Sequence, residues 1–313
     1  MPKNIIEVEK LVKKYKKADK NAVDNISFNV LEGEFFCFLG PNGAGKTTTI
    51  SILTTTLSKT SGSLKINEYD IDKNPSQVRK NIGVIFQKPS LDENLTAEEN
   101  IRFHATLYGL YPFRPVYSLM PKGYKDKVNE LGELLGIKNE LGNPIKSFSG
   151  GMKRKLEIIR SLIHNPKILF LDEPTSGLDP EARRTLWEYL KGVRKREKMT
   201  IFLTTHYLEE AEDADRICII SNGKIMEVGT PSTIKAKLLD EYLVVNSKNN
   251  KKLEAELKDK KIKFEFDGNY KIDINGHTTQ ELIKQIDTKL NVLKVHSPTL
   301  EEAYVSLVTE KSK

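Results

Sequence analysis

The residues with the most definite chemical pattern form a glycine-rich segment in the first part of the chain. They match the pattern G-x-x-x-x-G-K-[ST], and in order they are Gly40, Pro41, Asn42, Gly43, Ala44, Gly45, Lys46 and Thr47. Between a strand and a helix, such a segment binds phosphates, because glycines let backbone N–H groups close around them and the helix N-terminus favours negative charge. Lys46 would reach the β- and γ-phosphates, and Thr47 would ligate Mg²⁺. The segment predicts a nucleotide-binding loop, to which the adjacent Thr48 is also assigned.

Two adjacent acids form a second candidate site. Asp172 and Glu173 directly follow the apolar run 168–171, and Pro174 then ends the strand. A buried strand does not finish in paired carboxylates without a polar role. Asp172 suits Mg²⁺ or its bound water, and Glu173 can polarise an attacking water as a general base. An ordinary strand end that meets solvent is the alternative, and the nearby phosphate-binding pattern argues against it.

The elements that must position these residues follow an α/β pattern. From Ile5 to about Gly229, short apolar runs alternate with helical periodicity, which predicts a largely parallel α/β core. The expected central strands are nearly all apolar, as strands covered on both faces must be: residues 34–39, 167–171, 200–204 and 216–220. The glycine-rich loop and the acidic pair both follow strands of this set.

A helical region interrupts this alternation at about residues 88–163. Helices are expected at residues 96–108 and 125–135, while strand signals fade. Between them, residues 111–123 (YPFRPVYSLMPKG) contain three prolines and several aromatic side chains, so they predict a loop that packs against something. We interpret the region as a helical subdomain inserted in the core.

A second, smaller domain is expected after Gly229. Its predicted order is strand 242–246, helix 252–258, strand 261–266, strand 270–274, helix 279–290, strand 292–295 and a terminal helix. This is the order of a ferredoxin-like α+β fold, with Asp267-Gly268 as the hairpin turn. Thr299 and Glu302 form a capping box at the start of the terminal helix. The apolar face of that helix suggests a role of the domain in homodimerisation, with a folded cap or a regulatory module as the alternatives.

Composition narrows the class of protein. The 313 residues include 30% charged and 38% apolar residues, which is typical of a globular protein with a solvated surface. The formal net charge of +7 is spread along the chain, so we favour a lysine-rich solvated face over a nucleic-acid site. Cys37 and Cys218 lie inside apolar runs, which favours buried thiols in a reducing cytosol. The sequence has no apolar stretch of about 20 residues, and its N-terminus lacks the apolar core of a signal peptide. We therefore expect a chain that neither spans a membrane nor is exported.

A third motif resembles the signature motif of ABC ATPases. It runs from Phe148 to Lys153 and contains Ser149, Gly150 and Gly151; Phe148 and Met152 replace the commoner Leu and Gln. Further matches follow in the family's order, and they are Tyr15, Gln87 within residues 85–89, residues 176–179 and His206. The resemblance covers most of residues 5–229. It implies an α/β fold with a P-loop NTPase core and an inserted helical subdomain (domain 1–229). The ferredoxin-like domain predicted above from its element order follows it (230–313).

The resemblance also implies roles for these residues. Tyr15 would stack on the adenine of ATP, His206 would contact the γ-phosphate, and Gln87 would link Mg²⁺ to a permease-facing loop. Lys46 and Glu173 would join His206 as the catalytic residues. Ser149, Gly150 and Gly151 would complete the ATP site of a second copy in a head-to-tail dimer.

The expected function is therefore an ATP-binding and ATP-hydrolysing subunit that energises a separate transmembrane permease. The ending of the chain, residues 297–304, resembles the drug- and antibiotic-exporter ATPases of the daunorubicin-resistance type, which implies export of drug-like, antibiotic or lipid-like molecules. We expect a cytoplasmic protein, peripheral on the inner face of the membrane, with loop 111–123 near the permease and no nucleic-acid partner. A soluble ABC ATPase acting on nucleic acid or in cluster assembly is the alternative, which the absence of coiled-coil arms and of tandem ATPase domains disfavours.

Overall fold

The computed structural model describes residues 3–87, 90–176, 178–238, 241–274 and 278–310. The chain divides into two compact units, Met1–Val228 and Gly229–Lys313. Three residues of the motifs above, Lys88, Pro89 and Gly177, lie outside the described residues. Within the described ranges, every helix is too short or too polar to cross a membrane.

The first unit alternates strands and helices. Its strands are β1 (Asn4–Lys13), β2 (Val23–Leu31), β3 (Phe35–Leu39), β4 (Ser61–Ile66), β5 (Tyr69–Asp70), β6 (Ile82–Ile85), β7 (Ile168–Asp172), β8 (Thr200–Thr205), β9 (Arg216–Ser221) and β10 (Lys224–Gly229). Its α-helices are α1 (Lys46–Leu53), α2 (Pro75–Asn81), α3 (Ala97–Leu107), α4 (Lys122–Leu134), α5 (Gly150–Leu162), α6 (Pro180–Glu197) and α7 (Leu208–Glu212). Short 3-10 helices lie at Tyr117–Leu119, Lys138–Glu140 and Ile145–Ser147.

A largely parallel sheet forms the centre of this unit. Its strand order is β10-β9-β3-β8-β7-β6, and the pairs β9–β3, β3–β8, β8–β7 and β7–β6 are parallel. All residues of β3, β7 and β8 are buried, which explains their continuous apolar sequences. The four central strands expected from the sequence are confirmed within one residue at each end. Cys37 and Cys218 lie in this sheet, and burial raises the pKa of both thiols.

A second sheet, which the sequence analysis did not separate from the parallel core, is antiparallel, with the order β2-β1-β4-β5. Its β2 strand alternates buried and exposed residues, as a sheet with one covered face requires. Phe28 of β2 packs on Phe36, Phe38 and Phe202 of the parallel sheet, with ring centroids 5.7, 5.4 and 6.1 Å away. The hydrophobic core therefore lies between the two sheets.

Helices α3, α4 and α5 follow β6 and precede β7, as the helical region in the sequence predicts. Thr96 caps α3 through a capping box with Glu99. The predicted loop 111–123 extends two residues too far at its C-terminal end, because α4 begins at Lys122. Pro121 occupies the N-cap, where the missing N–H of proline costs no helical hydrogen bond.

The second unit has the strand-helix-strand-strand-helix-strand order that the sequence predicts. It begins with α8 (Pro231–Leu238) and continues with β11 (Tyr242–Ser247), α9 (Asn250–Asp259), β12 (Phe264–Phe266), β13 (Tyr270–Asp273), α10 (Thr279–Lys284), β14 (Leu290–His296) and α11 (Leu300–Glu310). The sheet order β12-β13-β11-β14, antiparallel throughout, is ferredoxin-like. Gly268 turns the β12–β13 hairpin with a φ of 71°.

The structure corrects two predicted bounds in this unit and removes one argument for a role in homodimerisation, which itself stays a prediction. The strand expected at residues 261–266 begins only at Phe264. The helix expected to reach Leu290 ends at Lys284. There Glu256 of α9 accepts hydrogen bonds from the backbone N–H groups of Asp287 and Thr288, and these contacts hold a turn in place of further helix. The apolar face of α11, offered above as a reason for homodimerisation, is already buried at Leu300, Ala303 and Leu307, and α11 contacts α8.

Candidate active site

The glycine-rich loop connects β3 to α1, and its path leaves no room for side chains at two positions. A Cβ atom on Gly40 would lie 2.3 Å from the carbonyl oxygen of Ile220. Gly45 has a φ of 106°, and a Cβ atom there would lie 2.5 Å from the carbonyl oxygen of Ala22. Gly45 is also the N-cap of α1, so no side chain caps the first N–H groups of that helix. The loop therefore presents backbone donors to an anion.

Lys46 begins α1 and is buried. Its Nζ donates hydrogen bonds to the carbonyl oxygens of Gly40 and Pro41, at 2.7 and 3.1 Å. The same nitrogen lies 3.4 Å from Oε1 of Glu173. Lys46 thus places a positive charge between the loop and the acidic pair.

Asp172 and Thr47 face each other across the sheet edge. Thr47 Oγ1 donates a hydrogen bond of 3.3 Å to Asp172 Oδ1, and Thr204 Oγ1 donates to the same oxygen. Burial raises the pKa of Asp172, while these two hydroxyl groups lower it in part. A carboxylate and a hydroxyl at this distance fit the hard oxygen ligands that Mg²⁺ prefers. In the described part of the chain, no three His, Cys, Asp or Glu residues could hold a metal by themselves, so phosphate and water oxygens would complete such a site.

Glu173 is where the separate parts of the site meet. It is 6% exposed and has a φ of 46°, an uncommon conformation for a residue other than glycine. Its Oε2 accepts a hydrogen bond of 3.0 Å from Nε2 of Gln87. Nδ1 of His206 lies 3.2 Å from its Oε1, without the alignment of a hydrogen bond. The structure therefore brings together Lys46, Gln87 and His206, which the sequence separates widely, around one carboxylate.

Tyr15 lies beside the start of α1. Its hydroxyl group is 3.2 Å from Oγ1 of Thr48, and Nζ of Lys13 lies 5.3 Å from its ring centroid. The side chain is 43% exposed, so its ring offers a free surface near the loop. This position fits stacking on a nucleotide base.

The serine-glycine-glycine motif lies elsewhere. Ser149 is the N-cap of α5 and accepts a hydrogen bond of 3.2 Å from the backbone N–H of Met152. Ser149 and Gly150 are exposed. Among the described residues, no hydrogen bond joins residues 149–151 to residues 40–48. The structure does not bring this motif to the loop of its own chain.

Several buried charged residues near the site were missed by the sequence analysis, among them Glu210 and Arg154. Glu210 of α7 accepts hydrogen bonds from Thr175, just after Glu173, and from Thr205, just before His206. Arg154 of α5 donates a hydrogen bond of 2.8 Å to the carbonyl oxygen of Pro174. The available signal was weak, because α5 and α7 each carry several charged residues, and the sequence does not distinguish the buried ones from the solvated ones.

Residues 23–176 match the ABC transporter family. The chain is 38% identical over 233 residues to the probable multidrug ABC transporter ATP-binding protein YbhF of Escherichia coli (strain K12); the match covers 74% of this chain and 38% of YbhF. It is 37% identical over 238 residues to the daunorubicin/doxorubicin resistance ATP-binding protein DrrA of Streptomyces peucetius, covering 76% of this chain and 68% of DrrA.

A solved structure described as the ATP binding subunit of an ABC transporter is also similar. It superposes with a TM-score of 0.65 and 31% identity, covering 74% of this chain and 92% of that chain. The matched part of this chain spans well under half the length of YbhF. Relatives of this identity, over most of the chain and two thirds of DrrA, show that the chain belongs to the ABC transporter family of ATP-binding proteins.

Proposed function

We propose that this protein binds and hydrolyses ATP as the motor subunit of an ABC transporter. The observation that carries the proposal is the meeting of Lys46, Gln87 and His206 at the carboxylate of Glu173, beside the Asp172–Thr47 pair. A carboxylate held by an ammonium and an amide is positioned to orient and deprotonate a water molecule. The adjacent glycine-rich loop supplies the phosphate site that such a water would attack.

The parts of ATP have separate contacts in this proposal. The triphosphate lies in the loop formed by residues 40–47, with Lys46 on its β- and γ-phosphates. The adenosine lies on the side of the loop where Tyr15 contacts Thr48. Tyr15 stacks on the adenine ring, Glu173 activates the attacking water, and His206 contacts the γ-phosphate. Such a site works mainly by positioning and by electrostatic stabilisation.

Thr47, Asp172 and Gln87 would hold Mg²⁺. The ion would supply positive charge beside the phosphates, which favours phosphoryl transfer. The Thr47 hydroxyl and the Asp172 carboxylate already face each other, and the raised pKa of Asp172 indicates a carboxylate that a nearby cation would stabilise. Gln87 reaches Glu173, so its amide lies within the same cluster.

A second copy of the chain completes each ATP site. Ser149, Gly150 and Gly151 are at the exposed start of α5, where backbone N–H groups and the helix dipole favour phosphate, yet they do not meet the loop of their own chain. In a head-to-tail dimer they would contact ATP held by the other copy. Binding of ATP would close the dimer, and hydrolysis would let it open.

The transport role rests on the relatives. YbhF and DrrA are named for multidrug transport and for daunorubicin/doxorubicin resistance. We therefore assign this chain to export of drug-like, antibiotic or lipid-like molecules through a separate permease, on the cytoplasmic face of the membrane. Recovery of the chain from mild detergent together with a polytopic membrane protein would support this role, and recovery with nucleic acid or ribosomes alone would contradict it.

The catalytic assignment is tested by Glu173→Gln. The amide keeps the shape of the side chain but cannot take a proton, so kcat for ATP hydrolysis should fall by about 100-fold or more while ATP binding is retained. The variant should also accumulate as a dimer in ATP, measured by light scattering. Glu209→Gln, at an exposed position of α7, is the matched control and should behave as the parent. An active Glu173→Gln protein would remove this residue from its proposed role.

A further inference from the structure

One guanidinium group joins the two backbone segments that carry Gln87 and Glu173. Arg154 of α5 donates from Nη1 to the carbonyl oxygen of Phe86, at 2.6 Å, and from Nε to that of Pro174, at 2.8 Å. Phe86 directly precedes Gln87, and Pro174 directly follows Glu173. The hydrogen bond between Gln87 and Glu173 is therefore flanked on both sides by bonds to the same side chain.

Glu157, one turn further along α5, holds the other side of Gln87. It is 1% exposed; its Oε2 accepts from Arg154 Nη1 at 2.9 Å, and its Oε1 accepts from the backbone N–H of Ser90 at 2.9 Å. Arg160 of the same helix donates to the carbonyl oxygen of Ser90 at 2.6 Å. Gln87 thus lies between two points, Phe86 and Ser90, that are both bound to α5.

Stability alone is a weak reason for this arrangement. Arg154 is 6% exposed, and burial lowers its pKa, so the protein meets a desolvation cost to place a charge there. A buried ion pair of this kind adds little net stability compared with apolar side chains of the same volume. What arginine offers here is a planar fork that binds two carbonyl oxygens and a carboxylate at fixed angles.

The same helix begins with the serine-glycine-glycine motif. Ser149 precedes Arg154 by five residues, a distance of about 7.5 Å along a helix axis. A displacement of α5 as one body would move Arg154 together with Ser149, and would shift the carbonyl oxygens of Phe86 and Pro174 or break their hydrogen bonds. In the proposed dimer, one end of α5 would contact the partner's nucleotide. Through Arg154, the same helix is bound to the segments that carry Gln87 and Glu173 of its own chain.

We propose that Arg154 is a positioning residue that couples the two ATP sites of the dimer: contact of the partner's nucleotide with residues 149–151 sets, through α5 and Arg154, the Gln87–Glu173 contact in the same chain. This inference rests on the proposed function and extends it to regulation of that site. It requires each site to hydrolyse fast only when the other holds ATP. Glu157 supports Arg154 by accepting a hydrogen bond from its guanidinium group.

The test is Arg154→Lys in the full-length protein. Lysine keeps the buried positive charge beside Glu157, but its single ammonium cannot reproduce the fork. We expect kcat to fall by about 10- to 100-fold, as for a small misplacement of catalytic groups. The dissociation constant for ATP should stay within about twofold of the parent value, because the loop is untouched. The Hill coefficient for ATP should fall from above one in the parent towards one.

Lys155→Gln is the matched control, since Lys155 is the next residue of α5 and makes none of these bonds; it should retain the parent's kcat and Hill coefficient. If Arg154→Lys does not fold, Glu157→Gln, which keeps an acceptor for Ser90, should show the same changes in a weaker form.

A parent Hill coefficient of one, or an Arg154→Lys protein with unchanged kcat and Hill coefficient, overturns the inference. A parallel loss of ATP affinity, melting temperature and kcat with an unchanged Hill coefficient also overturns it, as a merely structural role. A parent without ATPase activity would instead defeat the proposed function.

Discussion

At the scale of single residues, Asp172 shows how the site depends on protonation. Its side chain is buried at the end of β7, and burial raises its pKa above the usual value of 3.8. A carboxyl group whose pKa is raised by folding binds a proton more readily in the folded chain than in the unfolded one. Its contribution to stability is therefore complete below pH 3.8 and is lost as the pH rises through the raised pKa. At neutral pH the ionised side chain makes the fold less stable until a cation compensates it.

We predict that Asp172→Asn will separate stability from metal-dependent binding. Asparagine keeps an acceptor for Thr47 and Thr204 but carries no charge, so the melting temperature at neutral pH without Mg²⁺ should equal or exceed that of the parent. The difference should shrink as the pH is lowered, while the stabilisation that Mg²⁺ and ATP give the parent should be lost. Thermal unfolding over a pH series measures both effects. The control is Asp126→Asn at an exposed position, and a variant less stable than the parent by the same amount at every pH would contradict the argument.

The site was predictable from the sequence only where its chemistry is local. The loop of residues 40–47 and the Asp172–Glu173 pair are contiguous motifs, and both lie where the sequence places them, at the ends of strands. Gln87 and His206 became candidates through a resemblance, and only the fold shows that both approach Glu173. Arg154 and Glu210 could not be found, because a charged residue in a helix is ordinarily solvated and nothing in the sequence marks these two as buried.

At the scale of elements, the segment between α3 and α4 combines a fixed backbone with exposed apolar side chains. Arg102 of α3 is buried and donates hydrogen bonds of 2.6 and 2.9 Å to the carbonyl oxygens of Arg114 and Pro115. Further along the segment, Leu119 is 58% exposed, and Phe113 is also exposed. A segment whose backbone is fixed by a buried arginine and whose apolar side chains are exposed is suited to bind a partner protein. This supports the expectation that loop 111–123 faces the permease.

The prediction for this loop is a loss of coupling without a loss of basal activity. Phe113→Ser with Leu119→Ser should reduce permease-stimulated ATP hydrolysis by about tenfold, since apolar anchors dominate an interface, and should leave the basal rate unchanged. The measurement compares ATPase activity in detergent with that in proteoliposomes containing the permease. Phe266→Ser, an exposed apolar residue of β12, is the control. Undiminished stimulation in the double variant would place the permease contact elsewhere.

The elements themselves were predicted unevenly, for physical reasons. Central strands such as β3 and β8 were found closely, because burial on both faces demands continuous apolar residues. The antiparallel sheet of β1, β2, β4 and β5 was missed, since its strands are interspersed along the sequence with the parallel ones, and the order of strand-like runs does not show which strands pair. The end of α10 was wrong because contacts from α9, distant in sequence, replace the last turns of the helix.

At the scale of the whole molecule, our proposal makes a single copy an incomplete enzyme, because residues at the exposed start of α5 would serve the ATP site of the other copy. Each composite site would take Lys46 and Glu173 from one chain and Ser149 from the other. This division predicts complementation between inactive variants. Glu173→Gln and Ser149→Arg should each be inactive alone, because every site of either homodimer carries a lesion. In their mixed dimer both lesions fall in the same site, and the other site is intact.

Mixing the two variants in equal amounts should therefore restore activity above that of either variant alone. About a quarter of the parent's sites are intact if chains pair at random in a two-fold dimer. The chain with the intact Glu173 carries Ser149→Arg, so the coupling through Arg154 should hold the recovered rate below that fraction. The control mixes Lys46→Ala with Glu173→Gln, whose lesions lie in the same half of the site, so each site of that mixed dimer stays damaged and no activity should return. ATP hydrolysis of pre-mixed chains at concentrations that allow dimer exchange is the measurement. Recovery in the first mixture and not in the second requires a site divided between copies, because a site contained within one chain would leave both mixtures inactive. Equal recovery in both mixtures would instead indicate that the lesions are incomplete, and recovery in neither would contradict a site divided between the copies.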